Sequence, residues 1–197
     1  SLVALLLVPG LFKQHFQLVH DLIWSCSLLA GLWLVTRKRF MLIIGSLLVI
    51  PCLIISWFSL TEFSRHWLLI FSVITTAFLL FIFGHLIHFV VLAKRATSDV
   101  IYASLCTYLL LGLVWGYIYL TMELFFPGAF AINSELASNY LALPRQFTYF
   151  SFVTLTTLGY GDIVPVMPMA QSWSTMEAII GQLYLTIIVA RLMGLYV

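Results

Sequence analysis

Long apolar segments are the feature that most constrains how this chain can fold. Five stretches reach the length of about 20 mainly apolar residues that a helix needs to cross a bilayer. They are Gln17–Thr36, Phe40–Leu60, Trp67–Leu92, Val100–Phe126 and Met176–Val197. Hydrophobic residues make up 63% of the 197 residues and charged residues 8%, which leaves too little polar surface for a water-soluble domain. The sequence therefore predicts an all-α integral membrane protein.

Charged loops support an alternating topology. The shorter apolar stretch Leu2–Phe12, counted as a first helix, gives about six transmembrane segments. The basic clusters Arg37–Arg39 and Lys94–Arg95 then lie two loops apart, and the positive-inside rule places both in the cytoplasm. The opposite face carries no excess of positive charge; its charged residues are Glu62, Arg65, Glu135 and Arg145. A net charge of +2, scattered along the chain, does not indicate a nucleic-acid partner.

The segment between the last two long helices reads as a re-entrant loop. The polar stretch Pro127–Pro144 is extracytoplasmic in this topology, and it is followed by RQFTYFSFVTLTT and then LGYGD. About 12 residues form a helix of about 18 Å, roughly half the thickness of a membrane. Non-helical backbone at membrane depth survives only where it is buried in protein or lines a water-filled path. The TLGYG segment, Thr157–Gly161, is therefore expected to line such a path.

TLGYG in this setting resembles the pore module of the potassium-channel family, which consists of an outer helix, a re-entrant pore helix, a selectivity filter and an inner helix. Thr157–Gly161 takes the place of the family's TVGYG, with Leu158 where that motif has valine. The resemblance covers Val100–Val197. It implies sensor-like transmembrane helices over residues 1–98 and a pore domain over residues 99–197, as in bacterial six-segment relatives of the voltage-gated superfamily.

The resemblance implies how the TLGYG segment would work. Backbone carbonyls replace the water around a potassium ion. Gly159 and Gly161 adopt positive φ angles, the side chains of Leu158 and Tyr160 point away from the axis, and Thr157 adds a hydroxyl. Potassium ions, held by Thr157 to Tyr160, would be the only cofactor, with no organic group. Because each chain carries one such segment, a homotetramer embedded in lipid is expected.

Several other positions match supporting elements of the family. The resemblance implies that Tyr149 and Phe150 form an aromatic cuff behind the filter, that Asp162 ties the filter to the pore helix, and that Glu123 binds the pore loop. In the inner helix, Gly181 is either a hinge or a close-packing position, and Gln182 is expected to line the central cavity.

The remaining polar and small residues leave alternatives open. Glu177 forms either a capping box with Ser174 or a buried brace for the pore helix. Arg191 is expected to extend to the cytoplasmic interface, and Gly112 and Gly116 to allow close helix packing.

The front half lacks a recognisable sensor. Trp67–Leu92 contains no arginine, so strong voltage gating is not expected. His85 and His88 lie on one helix face, where a packing pair is a more common reading than a pH-responsive element or, with His66, a metal site. Cys26, Cys52 and Cys106 lie in apolar runs and are expected to be packing thiols.

The sequence favours a potassium-selective channel in a cell membrane, of the bacterial inner-membrane type. The alternatives are a poorly selective monovalent cation channel and a non-conducting membrane scaffold. No nucleophile–base pair, phosphate loop or metal-ligand spacing indicates an enzyme. No soluble regulatory domain is expected within this chain.

Overall fold

Four helices and two short strands make up the part of the chain that the computed structural model describes, namely residues 65–132, 140 and 142–196. In chain order the elements are α1 (Arg65–Leu92), α2 (Ser98–Phe125), β1 (Phe130–Ala131), α3 (Leu143–Leu155), β2 (Val164–Pro165) and α4 (Pro168–Tyr196). Ser46, Val49 and Ile50 are also described and are helical.

Three helices in this part of the chain are long and apolar enough to cross a membrane: α1, α2, and α4 over Pro168–Leu195, with 28 residues each. The predicted segments Trp67–Leu92 and Val100–Phe126 are confirmed within two residues. The last segment begins at Pro168 rather than at the predicted Met176. Leu2–Phe12 and Gln17–Thr36 lie outside the described residues, and Phe40–Leu60 lies mostly outside them. The count of six segments therefore stays a prediction.

The helix α2 is the centre of the compact unit that Phe63–Val197 forms. It packs against α1 on one side and against α3 and α4 on the other. Its contact with α1 includes a polar tie, since the Thr121 hydroxyl lies 3.0 Å from the Ser72 hydroxyl. Its contact with α4 includes the Tyr184 hydroxyl, which donates to the Ser104 carbonyl at 2.7 Å. Each of these partly buried hydroxyls thus has a hydrogen-bond partner on a neighbouring helix.

Arginine side chains join α1 to the other long helices at both of its ends. Arg65, the first residue of α1, donates from Nε and Nη2 to the Leu124 carbonyl at 3.0 and 2.5 Å. At the opposite end, Arg191 of α4 donates from Nη2 to the Val91 and Ala93 carbonyls. These carbonyls belong to the last turns of α2 and α1 and to the residue after α1, where a cation is favoured by the helix dipole. Arg191 therefore makes a specific helix contact, in addition to lying near the predicted cytoplasmic end.

The strands β1 and β2 pair with each other, and α3 lies between them in the sequence. They are antiparallel, with Phe130 opposite Pro165 and Ala131 opposite Val164. The amides of Val166 and Met167 add two hydrogen bonds to the Ala129 carbonyl. As a result, the chain that precedes α3 is fixed to the chain that follows the TLGYG segment.

Candidate functional site

The short helix α3 carries the TLGYG segment at its C-terminal end. Its 13 residues, Leu143–Leu155, correspond to about 20 Å, which is too short to cross a membrane. Pro144 lies in its first turn, where the missing N–H has no intrahelical partner to lose. Its buried residues are Leu143, Phe147, Thr148, Phe150, Ser151, Val153 and Leu155. The predicted half-helix is thus present and largely enclosed by the rest of the chain.

Two glycines of α2 allow α3 to lie close against it. A Cβ at Gly116 would lie 2.8 Å from Thr148 Cα, and a Cβ at Gly112 would lie 2.6 Å from the Phe152 ring. Both distances are shorter than carbon atoms tolerate. The GLVWG spacing in the sequence therefore serves close helix packing, as predicted.

The backbone turns sharply where α3 ends. The Leu158 amide donates to the Val153 carbonyl and the Thr157 amide to the Thr154 carbonyl, each at 2.9 Å. With Thr156 as the C-cap, this is the Schellman pattern, in which the following residue takes a left-handed conformation that glycine usually supplies. Here that residue is Thr157, with φ at 59°. A β-branched residue is strained in this region.

The TLGYG segment continues as exposed, non-helical backbone. Gly159 and Gly161 have φ angles of 60° and 76°, which agrees with the positive φ expected at both glycines. A Cβ at either glycine would meet no atom within 4 Å. Leu158 and Tyr160 are 56% and 66% exposed, so the chain by itself does not enclose this segment. Whether it coordinates ions stays a prediction.

Tyr149 and Asp162 connect α3 to the TLGYG segment. The rings of Tyr149 and Tyr160 are stacked at a centroid distance of 6.4 Å and an interplanar angle of 9°. A hydrogen bond to the Asp162 carboxylate raises the pKa of the Tyr149 phenol, and the negative charge acts in the same direction. Tyr149 and Asp162 thus lie in contact with each other at the TLGYG segment, and their role in supporting a filter stays a prediction.

Phe150 lies on a different side of α3. Its ring packs edge-to-face on Tyr119 of α2 and on Phe130 of β1, at 5.2 and 5.4 Å between centroids. Adjacent residues of a helix point about 100° apart, so Tyr149 and Phe150 serve different neighbours. Within the described part of the chain, Phe150 holds α3 in place, whereas Tyr149 contacts the TLGYG segment.

Glu123 organises the loop that follows α2. Its Oε1 accepts the Gly128 amide at 2.8 Å and its Oε2 accepts the Phe130 amide at 3.0 Å. Phe130 begins β1, which pairs with β2 just after the TLGYG segment. Glu123 therefore supports this region through β1.

The helix α4 passes directly behind the end of α3. It is continuous through Gly181, and a Cβ there would lie 2.6 Å from the Leu155 carbonyl oxygen. Of the two readings of Gly181, this geometry supports close packing. Gln182 is exposed on the chain, and its expected place in a central cavity stays a prediction.

Glu177 is fully buried between α4, α2 and α3. Its Oε2 accepts the Tyr119 hydroxyl at 2.6 Å, and its Oε1 lies 2.5 Å from Ser151 Oγ. The capping-box alternative is wrong, because α4 begins at Pro168 and the Ser174 hydroxyl donates to the Ala170 carbonyl within the helix. The buried brace is the alternative that the geometry supports. Tyr119 and Ser151 were not identified from the sequence, since hydroxyls in apolar helices carry no distinctive pattern.

No metal site is found among the described residues. They contain no group of three or more histidine, cysteine, aspartate or glutamate side chains that could hold an ion. His66, His85 and His88 all lie on α1, and Cys106 is a half-buried free thiol of α2. Cys26 and Cys52 lie outside the described residues.

Comparison with known proteins identifies the region that contains this site. Residues 105–197 match the family model described as "Ion channel". The chain is 33% identical over 102 residues to the inward rectifier potassium channel Kirbac3.1 of Paramagnetospirillum magnetotacticum, a match that covers 49% of this chain and 34% of that protein. It is 41% identical over 58 residues to the potassium voltage-gated channel protein shk-1 of Caenorhabditis elegans, covering 29% of this chain and 11% of that protein.

The chain thus spans about a third or less of the length of these two relatives. No solved structure matches it significantly. All of these matches are to channels and none is to an enzyme, in agreement with the sequence analysis.

Proposed function

We propose that this chain is a subunit of a potassium-selective channel that conducts potassium ions passively across a cell membrane, because residues 105–197 match the family model described as "Ion channel". Both relatives named above are potassium channels. The proposal assigns potassium selectivity to Thr157–Gly161. It places the channel in a bacterial inner membrane.

The conformation of the TLGYG segment is the observation that carries this proposal. The segment follows a buried half-helix, has positive φ at Thr157, Gly159 and Gly161, and is exposed on the chain. Alternating backbone angles of this kind direct successive carbonyls toward one side, and such carbonyls can replace the hydration shell of an ion. The C-terminal end of α3, which carries partial negative charge, favours a cation nearby.

Four chains are required for a ring of carbonyls, because each chain has one TLGYG segment. The exposure of α4 supports such an assembly. Only 11% of its most apolar stretch is buried within the chain, whereas 56% of the corresponding stretch of α2 is buried. Gln182 and Thr186 are exposed one turn apart on α4. Polar side chains at membrane depth need a polar partner or water, and a central cavity between four copies of α4 would provide it.

The proposed parts act together. Tyr149 and Asp162 hold the TLGYG segment at the end of α3, Phe150 and Glu123 support it through β1 and α2, and Gly181 allows α4 to pass close behind it. Segments before residue 65 complete a six-segment subunit in this proposal.

The test is the reversal potential of the purified protein in a planar bilayer, with potassium on one side and sodium on the other. A value near the potassium equilibrium potential is expected. A value near zero with current present would indicate a poorly selective cation channel. Absence of current, together with a monomer by mass measurement in detergent, would favour a membrane scaffold and refute the proposal.

A pair of glycine substitutions links the current to the segment. Gly159→Ala places a side chain at a φ of 60° and meets no atom of its own chain within 4 Å, so within the chain it acts through the backbone conformation. We expect loss of potassium selectivity or of current. Gly84→Ala is the matched control, because a Cβ at this position in α1 also meets no atom within 4 Å and its φ is not positive. Equal potassium currents and selectivity in the two variants would contradict the assignment of potassium selectivity to the TLGYG segment.

A further inference from the structure

Glu177 is an acidic side chain enclosed by three helices with no solvent exposure. Its two nearest polar partners are the hydroxyls of Tyr119, on α2, and Ser151, on α3, and both of these residues are themselves fully buried. An ionised carboxylate in such a place is costly unless strong donors or a cation compensate it. The number of hydrogens available in this cluster therefore decides its charge state.

Ser151 makes two close contacts but carries a single hydroxyl hydrogen. Its Oγ lies 2.7 Å from the Gly112 carbonyl oxygen and 2.5 Å from Glu177 Oε1. A carbonyl oxygen can only accept a hydrogen bond, so the hydroxyl hydrogen of Ser151 is directed to Gly112. The contact with Glu177 then has a hydrogen only if the carboxyl group supplies it.

With a proton on Glu177, each of the three contacts that link Tyr119, Glu177, Ser151 and Gly112 has one hydrogen. Tyr119 donates to Oε2, the protonated Oε1 of Glu177 donates to Ser151, and Ser151 donates to Gly112. If Glu177 is ionised, only two hydrogens are available for the three contacts. One pair of oxygen atoms, 2.7 Å or less apart, then has no hydrogen between its two members.

We propose that Glu177 is held as a neutral carboxylic acid and is a positioning residue, which fixes α3 between α2 and α4 through a bridge that runs Tyr119–Glu177–Ser151–Gly112. Ser151 lies six residues before Thr157 in the sequence. The bridge therefore fixes the helix that carries the TLGYG segment, and it adds no formal charge against that helix.

Glu123 provides a matched control, because its two partners both donate hydrogens to it, whereas Glu177 must itself supply a hydrogen to one of its partners. It accepts two backbone amides, from Gly128 and Phe130, and needs no hydrogen of its own. A glutamine amide can replace a protonated carboxyl group, since it has one acceptor and one donor side. At Glu123 the same amide would direct its NH₂ toward a backbone N–H, where no acceptor is available.

Infrared difference spectroscopy of the full-length protein in lipid at neutral pH tests the charge state directly. Between wild type and Glu177→Gln, we expect the loss of one carbonyl-stretch band of a protonated carboxylic acid. Between wild type and Glu123→Gln, we expect the loss of ionised-carboxylate bands instead. If Glu177→Gln removes carboxylate bands and no protonated-acid band, the proposal is wrong. This measurement does not depend on channel activity.

Thermal unfolding in detergent tests the positioning role. Glu177→Gln keeps all three hydrogen bonds but adds one buried N–H, so its unfolding temperature should fall less than that of Glu177→Leu. Glu177→Leu leaves Tyr119 without its acceptor and should unfold about 4 °C or more lower, as should Glu123→Gln. Equal stability of the Leu and Gln variants at position 177 would show that the bridge positions nothing.

The effect on conduction rests on the proposed function. If the chain conducts potassium, Glu177→Gln should retain selectivity, whereas Glu177→Leu should reduce it. If wild type carries no current, the proposed function fails, but the infrared and unfolding results still decide the charge state and the bridge.

Discussion

The backbone carbonyl oxygen of Leu155 lies 2.6 Å from the position that a Cβ of Gly181 would occupy. The end of α3 and the middle of α4 are thus in direct backbone contact, with the Leu155 side chain also within 2.8 Å of that position. The C-terminal end of α3 leads directly into the TLGYG segment. A side chain at residue 181 would therefore clash with the C-terminal end of α3, from which the TLGYG segment begins.

We expect Gly181→Ala to destabilise the folded chain by about 1–3 kcal/mol, because the contact is with backbone that cannot move aside freely. Gly194→Ala on the same helix is the control, since a Cβ there meets no atom within 4 Å and alanine is favoured in helices. Thermal unfolding in detergent measures both variants. If Gly181→Ala leaves the stability unchanged, the packing role of Gly181 is contradicted and the hinge interpretation is favoured again.

The two glycines of α2 should differ in their tolerance of alanine. At Gly116 the new Cβ would meet backbone atoms of Thr148, whereas at Gly112 it would meet only the far end of the Phe152 ring. A ring can rotate away at small cost, but a helix backbone cannot. We expect Gly116→Ala to lower the unfolding temperature clearly more than Gly112→Ala, and the reverse order would show that the α2–α3 distance is not set by Gly116.

Thr157 stores backbone strain at the start of the TLGYG segment. Its φ of 59° is a conformation that glycine adopts without penalty. We expect Thr157→Gly to stabilise the isolated fold by about 1 kcal/mol, measured by thermal unfolding in buffer without potassium, so that loss of a hydroxyl ligand does not mask the gain. Gly128→Ala is the converse control, since its φ of 87° opposes a side chain. A less stable Thr157→Gly variant would mean that the threonine side chain compensates its own strain.

Arg191 should contribute to stability through its contacts with the end of α1. Replacing it by glutamine removes a positive charge from the Val91 and Ala93 carbonyls and should cost about 1–2 kcal/mol. Arg95→Gln is the control, because Arg95 lies after the same end of α1 and its side chain is exposed. Chemical denaturation in detergent compares the two variants, and equal midpoints would refute the role of Arg191.

The sequence was informative wherever a residue type has few physical uses. The resemblance of TLGYG to the filter motif of potassium channels implied positive φ at Gly159 and Gly161, and both are observed. The same reasoning fails for Thr157, because threonine is rare at positive φ and no sequence pattern marks the exception. Close packing at Gly112 and Gly116 was predictable from their spacing, but the partner α3 was not.

Helix boundaries and buried hydroxyls were harder to predict. The start of α4 was placed at Met176 because the preceding turns contain Gln171, Ser172, Ser174 and Thr175, which interrupt the apolar run. The hydroxyls of Ser172, Ser174 and Thr175 donate to carbonyls four residues earlier in the same helix, so these residues are compatible with a helix that begins at Pro168. Glu177 was recognised as a possible brace, but its partners depend on tertiary packing that the sequence does not display.

The arginine contacts at the two ends of α1 restrict how this helix can move relative to α2 and α4. Sliding α1 along its axis by one turn, about 5.4 Å, would break the bonds of Arg65 to Leu124 at one end of the helix and the bonds of Arg191 at the other end. A piston-like stroke is therefore opposed from both sides. Tilting of α1, α2 and α4 together as one body would preserve both attachments.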